Sequence, residues 1–233
     1  MSFENIKDNY SRLKKSIKDT CEKCGRHEDE IKLVAISKTF PASDIADLYE
    51  LGHRDFGENK VQELGEKEKE LREKDIYWHL VGHLQSNKVK YIVDYVSLIH
   101  SVDSIRLADE IQRRASGASK LIDILVQVNT SGEESKFGVE PDEAKALCSD
   151  IGKLENVRLR GLMTIGKLTD DENEIRENFR ALKNLFGELK PLNKDFKYLS
   201  MGMTSDYRIA IEEGSNMLRI GSAIFGERDY SNQ

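Results

Sequence analysis

Residues 33–51 read LVAISKTFPASDIADLYEL and contain two successive patterns. The first five, 33–37, are apolar or small and partly β-branched, as is typical of a strand buried in a parallel sheet. The stretch 41–51 opens with a proline and places apolar side chains at helical spacing. This segment therefore predicts a strand followed by an amphipathic helix, the unit from which parallel sheets are built.

The same strand-then-helix pattern recurs along the chain. Seven further apolar runs predict strands, at 54–57, 77–82, 95–102, 121–129, 158–166, 196–202 and 216–226. Helical patterns alternate with them, at 60–73, 85–93, 104–115, 141–151, 171–189 and 205–213, and a leading helix covers about 5–24. Eight strands with helices between them make a closed (β/α)8 TIM barrel, although a doubly wound open sheet gives the same alternation.

Charge and apolar content argue against nucleic-acid-binding, membrane and secreted proteins. The 233 residues contain 36 Lys and Arg against 42 Asp and Glu, a net charge of −6, so we expect neither nucleic acid nor an anionic membrane as a partner. No apolar run approaches the roughly 20 residues that span a bilayer, and no secretory signal opens the chain. The charged run 66–74, EKEKELREK, predicts an exposed helix. We expect one α/β domain over 1–233, located in the cytoplasm.

Lys38 is the first candidate for chemistry, because reactive groups of such barrels lie at the C-terminal ends of strands. It follows the first predicted strand, and alternation places it on the face of Val34 and Ile36. If that face points into the barrel, burial lowers the pKa of Lys38 and favours the neutral amine that forms a Schiff base with an aldehyde. The alternative is an ordinary solvated lysine just past a strand end.

Two glycine-containing segments, LSMGMTSD at 199–206 and RIGSAIFG at 219–226, end the seventh and eighth predicted strands. Hydroxyls and small residues at the start of a helix bring donors onto a phosphate, and here a predicted helix begins near Thr204 and Ser205. Gly221 and Ser222 end the eighth predicted strand. Phosphate sites formed by the loops after strands 7 and 8 recur in barrels, so the pair of segments predicts one.

Other polar residues also lie at strand ends. Arg219 is expected to point inward, where it needs an acceptor such as a pyridine nitrogen or a core carboxylate. Asn59 follows the second strand and could steady a bound ring. His79 and His83 are four residues apart, but that spacing binds a metal on a helix and 77–82 is predicted as a strand, so we expect no metal site.

Seven ordered segments, spread from Lys32 to Arg228, together resemble the pyridoxal phosphate homeostasis proteins: LVAISK with Pro41, FGENKVQE, WHLVGHLQSNK, VQVNTSGEESKFG, RGLMTIG, LSMGMTSD and RIGSAIFG. The resemblance implies a fold-type III barrel, similar to the N-terminal domain of alanine racemase, with pyridoxal 5′-phosphate (PLP) on Lys38. It implies that Arg219 faces the pyridine nitrogen and that Asn59 lies near the ring. The phosphate ligands implied are Ser200, Met201, Gly202, Thr204, Gly221 and Ser222. We assign no role to the segment VQVNTSGEESKFG, 126–138.

Three functions are consistent with these residues. The resemblance implies a non-enzymatic PLP-binding protein that acts in vitamin B6 homeostasis, and the first hypothesis is a carrier that stores PLP and hands it to apo-enzymes. We expect a monomer, because the dimer of the racemases depends on a second domain. A fold-type III amino-acid racemase is the alternative, but such enzymes carry a second domain that supplies an acid or base, and we expect no residues beyond the barrel to form one. A cofactor-free Schiff-base aldolase using Lys38 is the third, and only this one predicts a colourless protein.

Overall fold

The computed structural model describes residues 2–133 and 136–227. Its eight strands are β1 Lys32–Ile36, β2 Asp55–Glu58, β3 Tyr77–Leu80, β4 Val96–Val102, β5 Ile122–Gln127, β6 Val157–Met163, β7 Tyr198–Ser200 and β8 Met217–Ile220. Each strand pairs in parallel with the next, and β8 pairs with β1. The sheet is therefore closed, which confirms the predicted (β/α)8 barrel and excludes the open sheet.

The helices are α1 Phe3–Lys23, α2 Ala42–Glu50, α3 Val61–Glu70, α4 Ile105–Gly117, α5 Pro141–Ile151, α6 Glu172–Leu189, α7 Tyr207–Glu212 and α8 Ser222–Phe225. The predicted helix at 85–93 is instead a 3₁₀ segment, Ser86–Tyr91. A 3₁₀ segment rises about 2.0 Å per residue against about 1.5 Å in an α-helix, so a short connection can reach the next strand. Across the described ranges, no helix is both long and apolar enough to cross a membrane.

Two predicted boundaries differ at the end of the barrel that carries the candidate residues. β8 ends at Ile220 rather than at 226, because Gly221 is the N-cap of the one-turn helix α8. α7 begins at Tyr207 rather than at 205, because a turn precedes it in which the Asp206 carboxylate accepts a hydrogen bond from the Met203 N–H at 2.5 Å. The loop after β7 is therefore longer than predicted, and β8 is followed directly by the short helix α8.

The N-terminal helix α1 completes the outer layer of helices. Because α8 has only four residues, it is too short to cover the junction of β8 and β1, and α1 packs against α2, α7 and α8 in its place. The inward face of α1 buries side chains at helical spacing, namely Ile6, Leu13, Ile17 and Cys21. Side chains bond it in place as well, since Asn9 Nδ2 donates to Ile224 O at 3.0 Å and Tyr207 OH donates to Ser16 Oγ at 2.7 Å.

The interior of the barrel is filled by alternate residues of the strands. Six apolar side chains form a cluster separate from the layer between sheet and helices: Val34, Ile36, Leu98, Leu125, Met163 and Met217. Val34 is aligned with Arg219 on the neighbouring strand. The face of β1 that precedes Lys38 therefore points into the barrel, as the alternation predicted.

A truncation tests whether α1 is an integral part of this core. Ile6 has no exposed surface, so Ile6→Ala should lower the free energy of unfolding by about 2–5 kcal/mol through lost burial and a cavity. The matched control is Lys7→Ala at the next, exposed position, which should change it by less than about 0.5 kcal/mol. Urea denaturation measures both, and equal small effects would show that α1 does not pack as described.

Candidate functional site

Four adjacent strands, β7, β8, β1 and β2, end on the same side of the barrel and carry most of the candidate residues. Lys38 lies two residues after β1, Asn59 directly follows β2, and Gly221 directly follows β8. The strand ends are in close contact, because a Cβ on Gly221 would lie 2.9 Å from the Ile36 carbonyl oxygen. Strand order alone therefore brings the candidate lysine, amide and glycine to one half of the barrel mouth.

The loops after β7 and β8 meet through two hydroxyls. Ser222 Oγ donates to Thr204 Oγ1 at 3.1 Å, and the Ala223 N–H approaches the same oxygen at 3.5 Å. Ser222 is exposed and Thr204 is partly buried. The two hydroxyls at the mouth can both donate to a bound anion, so the chemistry suits a phosphate.

The preceding residues of the β7 segment are placed differently from one another. Ser200 is fully buried and its hydroxyl faces the barrel interior, whereas the Met201 side chain packs in the layer between sheet and helices. Gly202 has φ +100°, and a Cβ there would lie 2.6 Å from Ala210 Cβ, so only glycine fits. Of this segment Thr204 brings a hydroxyl to the mouth, and contact of the other three with a phosphate stays a prediction.

Arg219 extends into the barrel from β8 and is almost fully buried. Its Nη1 donates to Ser200 Oγ and its Nη2 to the Thr164 carbonyl oxygen, both at 2.7 Å. Burial lowers the pKa of Arg219 to about 10, against the attraction of Asp206, so the guanidinium remains protonated at neutral pH. Among the described residues its hydrogen-bond partners are a hydroxyl and a carbonyl rather than a core carboxylate, which leaves its remaining N–H groups available to a ligand.

Asn59 carries an unsatisfied polar atom at the site. Its Oδ1 is buried and has no hydrogen-bond partner among the residues that the structure describes. The loop after β3 encloses this residue, because a Cβ on Gly82 would lie 2.2 Å from the Asn59 carbonyl oxygen. A buried acceptor without a partner costs about 1–3 kcal/mol, and a ligand hydroxyl would offset that cost.

The backbone on either side of Lys38 is held in one conformation. Lys38 is partly buried in a turn closed by the Phe40 N–H and the Ser37 carbonyl at 3.0 Å, with Thr39 at φ +71°. A β-branched residue at positive φ is strained and needs support from its surroundings. That support comes from α3, whose Lys67 Nζ donates to Ser37 O at 2.8 Å and whose Glu63 Oε1 accepts from the Thr39 N–H at 2.5 Å.

A buried carboxyl completes this support. Glu58 Oε1 accepts hydrogen bonds from Lys67 Nζ and from Ser37 Oγ, both at 2.7 Å, while its Oε2 has no partner in the described part of the chain. Burial raises the pKa of Glu58 to about 7, although Lys67 opposes the shift. The prediction that 66–74 is an exposed helix was thus wrong for Lys67, which is 6% exposed, because its ammonium bonds to the end of β1.

The opposite half of the mouth is bridged by the segment to which the sequence gave no role, 126–138, of which residues 134 and 135 lie outside the description. The Phe137 ring stacks on His83 at 4.0 Å between centroids and 15° between planes. Lys136 Nζ donates to the Gly166 carbonyl at 3.0 Å. The loop after β5 therefore contacts the loops after β3 and β6 and borders the site.

Sequence reasoning considered His79 only beside His83 and missed its actual partner, His100. His79 Nδ1 lies 2.9 Å from His100 Nε2 inside the barrel, whereas His83 lies in the mouth. Within 2–133 and 136–227 no three His, Cys, Asp or Glu side chains form a group that could hold a metal. The available signal was alternation, because His100 is two residues beyond the inward-facing Leu98 on β4.

Glu58→Gln tests the protonation of the buried carboxyl. In wild type the folded state binds more protons than the unfolded state between the ordinary pKa of 4.5 and the folded pKa of about 7, so this group lowers stability as pH rises through that window. The variant should gain free energy of unfolding relative to wild type over the same window, by up to about 3 kcal/mol at about 1.36 kcal/mol per pH unit. Denaturation at a series of pH values measures it. The exposed control Glu70→Gln should give a flat difference, and a flat difference for Glu58→Gln would show that Glu58 ionises normally.

Comparisons with known proteins agree with one another. The family model described as alanine racemase, N-terminal domain, matches residues 2–229. A pyridoxal phosphate homeostasis protein of Aquifex aeolicus is 44% identical over 227 residues, which cover 97% of this chain and 100% of that protein. The crystal structure of an unknown protein from Bifidobacterium adolescentis has a TM-score of 0.91 at 36% identity and covers 96% of this chain and 95% of its own.

A further solved structure holds a ligand. PipY of Synechococcus elongatus, with PLP bound, has a TM-score of 0.78 at 36% identity, over 84% of this chain and 93% of its own. These matches are 36–44% identical over 84–97% of this chain, which indicates a shared family and not only a shared fold. This chain therefore belongs to the alanine racemase N-terminal domain family and, within it, to the pyridoxal phosphate homeostasis proteins.

Proposed function

We propose that this chain binds PLP as a Schiff base on Lys38 and serves PLP homeostasis without catalysing a turnover. The observation that carries the proposal is the hydroxyl pair of Thr204 and Ser222 beside the end of β1, the strand that leads to Lys38. The homeostasis proteins among its relatives and the PLP-bound PipY structure support the choice of ligand.

The candidate residues match the parts of PLP one by one. Thr204 and Ser222 would donate to the phosphate, which accepts strong hydrogen bonds. Arg219 would donate to the ring nitrogen, and the unpartnered Asn59 Oδ1 would accept a hydrogen bond from the ring hydroxyl. Lys38 lies two residues after β1, and its neutral Nζ would add to the aldehyde carbon with loss of water, so that a C=N bond replaces C=O.

The charge on Arg219 supports storage over catalysis. PLP supplies an aldehyde on a pyridine ring, and that ring withdraws electrons best when its nitrogen is protonated. Because the pKa of Arg219 is about 10, its guanidinium can only donate a hydrogen bond at neutral pH and leaves the ring nitrogen unprotonated. A site of this kind retains the aldehyde while giving weak support to a developing carbanion.

Replacing the lysine tests the covalent link. Purified wild-type protein, mixed with PLP, should develop a visible imine band that borohydride abolishes, and peptide mass spectrometry should find the reduced adduct on Lys38. Lys38→Ala should show neither, while Lys60→Ala, at an exposed position after β2, should behave as wild type. An adduct on another lysine would contradict the Schiff base on Lys38. A wild-type protein that stays colourless with PLP would contradict the proposed function as a whole. Lys38-dependent turnover of an amino acid at physiological concentration would contradict the non-catalytic role.

An isosteric change tests the phosphate site separately from the lysine. Thr204→Val removes a hydroxyl at nearly constant volume and should weaken PLP binding about tenfold, the loss of one hydrogen bond to a charged group. Pyridoxal, which lacks the phosphate, should bind both proteins equally. Thr20→Val is the control because it makes the same change at a buried threonine of α1, outside the loops after β7 and β8. Equal weakening of both ligands would show that Thr204 acts through the fold and not through the phosphate.

The proposal extends to the setting in which the protein acts. A monomer in the cytoplasm that supplies PLP to apo-enzymes is consistent with the names of the relatives and with a net charge of −6, which gives no general attraction to polyanions. Light scattering of the purified protein distinguishes monomer from dimer. Transfer is measured by the activity regained when the loaded protein is mixed with an apo-enzyme, compared with the same amount of free PLP.

A further inference from the structure

A line of hydrogen bonds runs through the barrel interior from one end to the other. It begins at Asp55, the first residue of β2, whose Oδ1 lies 3.0 Å from His79 Nε2. His79 Nδ1 lies 2.9 Å from His100 Nε2, and His100 Nδ1 lies 3.4 Å from Ser200 Oγ. Ser200 Oγ in turn accepts from Arg219 at 2.7 Å. Residues on β2, β3, β4, β7 and β8 thus form one connected chain across the interior.

The chemistry of the two ends fixes the direction of every hydrogen bond. At one end the Asp55 carboxylate can only accept, so His79 Nε2 carries a proton and, in a neutral ring, His79 Nδ1 accepts from His100 Nε2. At the other end the guanidinium of Arg219 can only donate, so Ser200 Oγ accepts from it and has its own hydrogen free for the bare His100 Nδ1. The Asp55 end therefore assigns the Nε2–H tautomer to both histidines, the Arg219 end is compatible with it, and all the donors then point from Arg219 towards Asp55.

Burial keeps both imidazoles neutral. His79 and His100 are 3% and 0% exposed. Burial lowers the pKa of His79, although the hydrogen bond and charge of Asp55 oppose the shift, and burial holds the pKa of His100 well below 6.5. The positive charges of Lys32 and Arg219 act in the same direction. Burial opposes ionisation of Asp55, but hydrogen bonds from His79 and Lys32 outweigh it and lower the pKa of Asp55 to about 2. The charges are therefore confined to the two ends.

The chain also determines how Arg219 is oriented. Its Nη1 bonds to Ser200 and its Nη2 to the Thr164 carbonyl, so the planar guanidinium is fixed at two points. The Ser200 hydroxyl accepts from Arg219 because its hydrogen is directed away, towards His100. If His100 could not accept that hydrogen, the hydroxyl would be free to rotate and this hold on the guanidinium would weaken.

We propose that His79, His100 and Ser200 are positioning residues that hold Arg219 for the ring nitrogen of PLP, with Asp55 as the anionic end of the chain. The proposal rests on the proposed function, because it is PLP that supplies the ring nitrogen. It assigns a role to a histidine pair that neither touches the mouth nor fits a metal site. The far end lies at the N-terminal side of the barrel, where Lys32 bonds to Asp55 at 2.7 Å and both line an open cavity.

The tautomers provide a test that needs no cofactor. Long-range ¹H–¹⁵N NMR of the unliganded protein distinguishes protonated from bare imidazole nitrogens. Both His79 and His100 should be neutral at neutral pH, with the proton on Nε2 and none on Nδ1. A charged ring or an Nδ1–H tautomer at either position would overturn the assigned direction, and with it the proposal.

The positioning role is tested with two ligands, PLP and its analogue in which C–H replaces the ring nitrogen. Ser200→Ala and His100→Leu should each weaken PLP binding about tenfold and leave the affinity for the analogue within about twofold, because the chain acts through Arg219 on that nitrogen alone. Ser200→Ala removes a single atom and guards against a folding defect in His100→Leu. His53→Leu is the matched control: His53 is also buried, but its ring bonds to Tyr10 OH and to the backbone carbonyl of Asp55, so the substitution removes none of the side-chain hydrogen bonds that link Asp55 to Arg219.

The outcomes distinguish the positioning role of the chain from the proposed function, PLP binding itself. Weaker binding of PLP with unchanged binding of the analogue supports the positioning role. Equally weakened binding of both ligands, or unchanged binding of both, overturns it. Weakening of PLP alone by His53→Leu would also overturn it, because any buried histidine would then have the same effect. If the wild-type protein binds neither ligand, the proposed function fails and the role towards the ring fails with it, while the tautomers still decide whether the hydrogen-bonded chain exists.

Discussion

The pairing of β8 with β1 is the contact on which the candidate site depends. It closes the barrel and aligns Val34 with Arg219, so that the first and last strands of the chain become neighbours. Lys38 and Ser222, which are 184 positions apart, then lie at adjacent strand ends. Because the strands are parallel and in sequential order, all their C-terminal ends open on the same side. α1 protects this junction from outside, where the one-turn helix α8 is too short to do so.

The strands are well predicted by sequence because burial on both faces leaves a local signal. The run 33–37 covers β1 to within a residue at each end, and Lys38, Asn59, Thr204, Gly221 and Ser222 could be placed at strand ends by counting alone. Boundaries were less certain where glycine intervenes, as at Gly221, since a strand end and a helix N-cap have similar local composition. The local pattern thus placed these five residues after strand ends, but it did not predict that the Ser200 side chain faces the interior or how the loops at the mouth are bonded.

The interactions that sequence reasoning missed all join residues from different strands or helices. Lys67 lies in a charged run and has no local feature that distinguishes it from its exposed neighbours, yet it bonds to the end of β1. The pairing of His79 with His100 depends on the register of β3 against β4, which shifts between Trp78 and His79. Alternation can predict that a polar residue points inward, but its partner is set by the barrel as a whole. Buried polar partners are therefore the part of a site that sequence predicts least well.

The position of the negative charge explains why a serine and two histidines stand between Arg219 and Asp55. A carboxylate in direct contact with Arg219 would offset the positive charge of the guanidinium. An ion pair with no net charge would then permit the ring nitrogen of a ligand to take up a proton. The neutral chain instead places the Asp55 charge at the opposite end of the barrel, where its attraction is weaker because Coulomb energy falls with distance. Asp206 also attracts Arg219, but burial raises the pKa of Asp206, and its Oδ1 is occupied by the Met203 N–H. Under the proposed function, the hydrogen bonds would hold Arg219 in place while its positive charge faces the ring nitrogen. A guanidinium in that position would disfavour a protonated pyridine and would favour retention of the cofactor over carbanion chemistry.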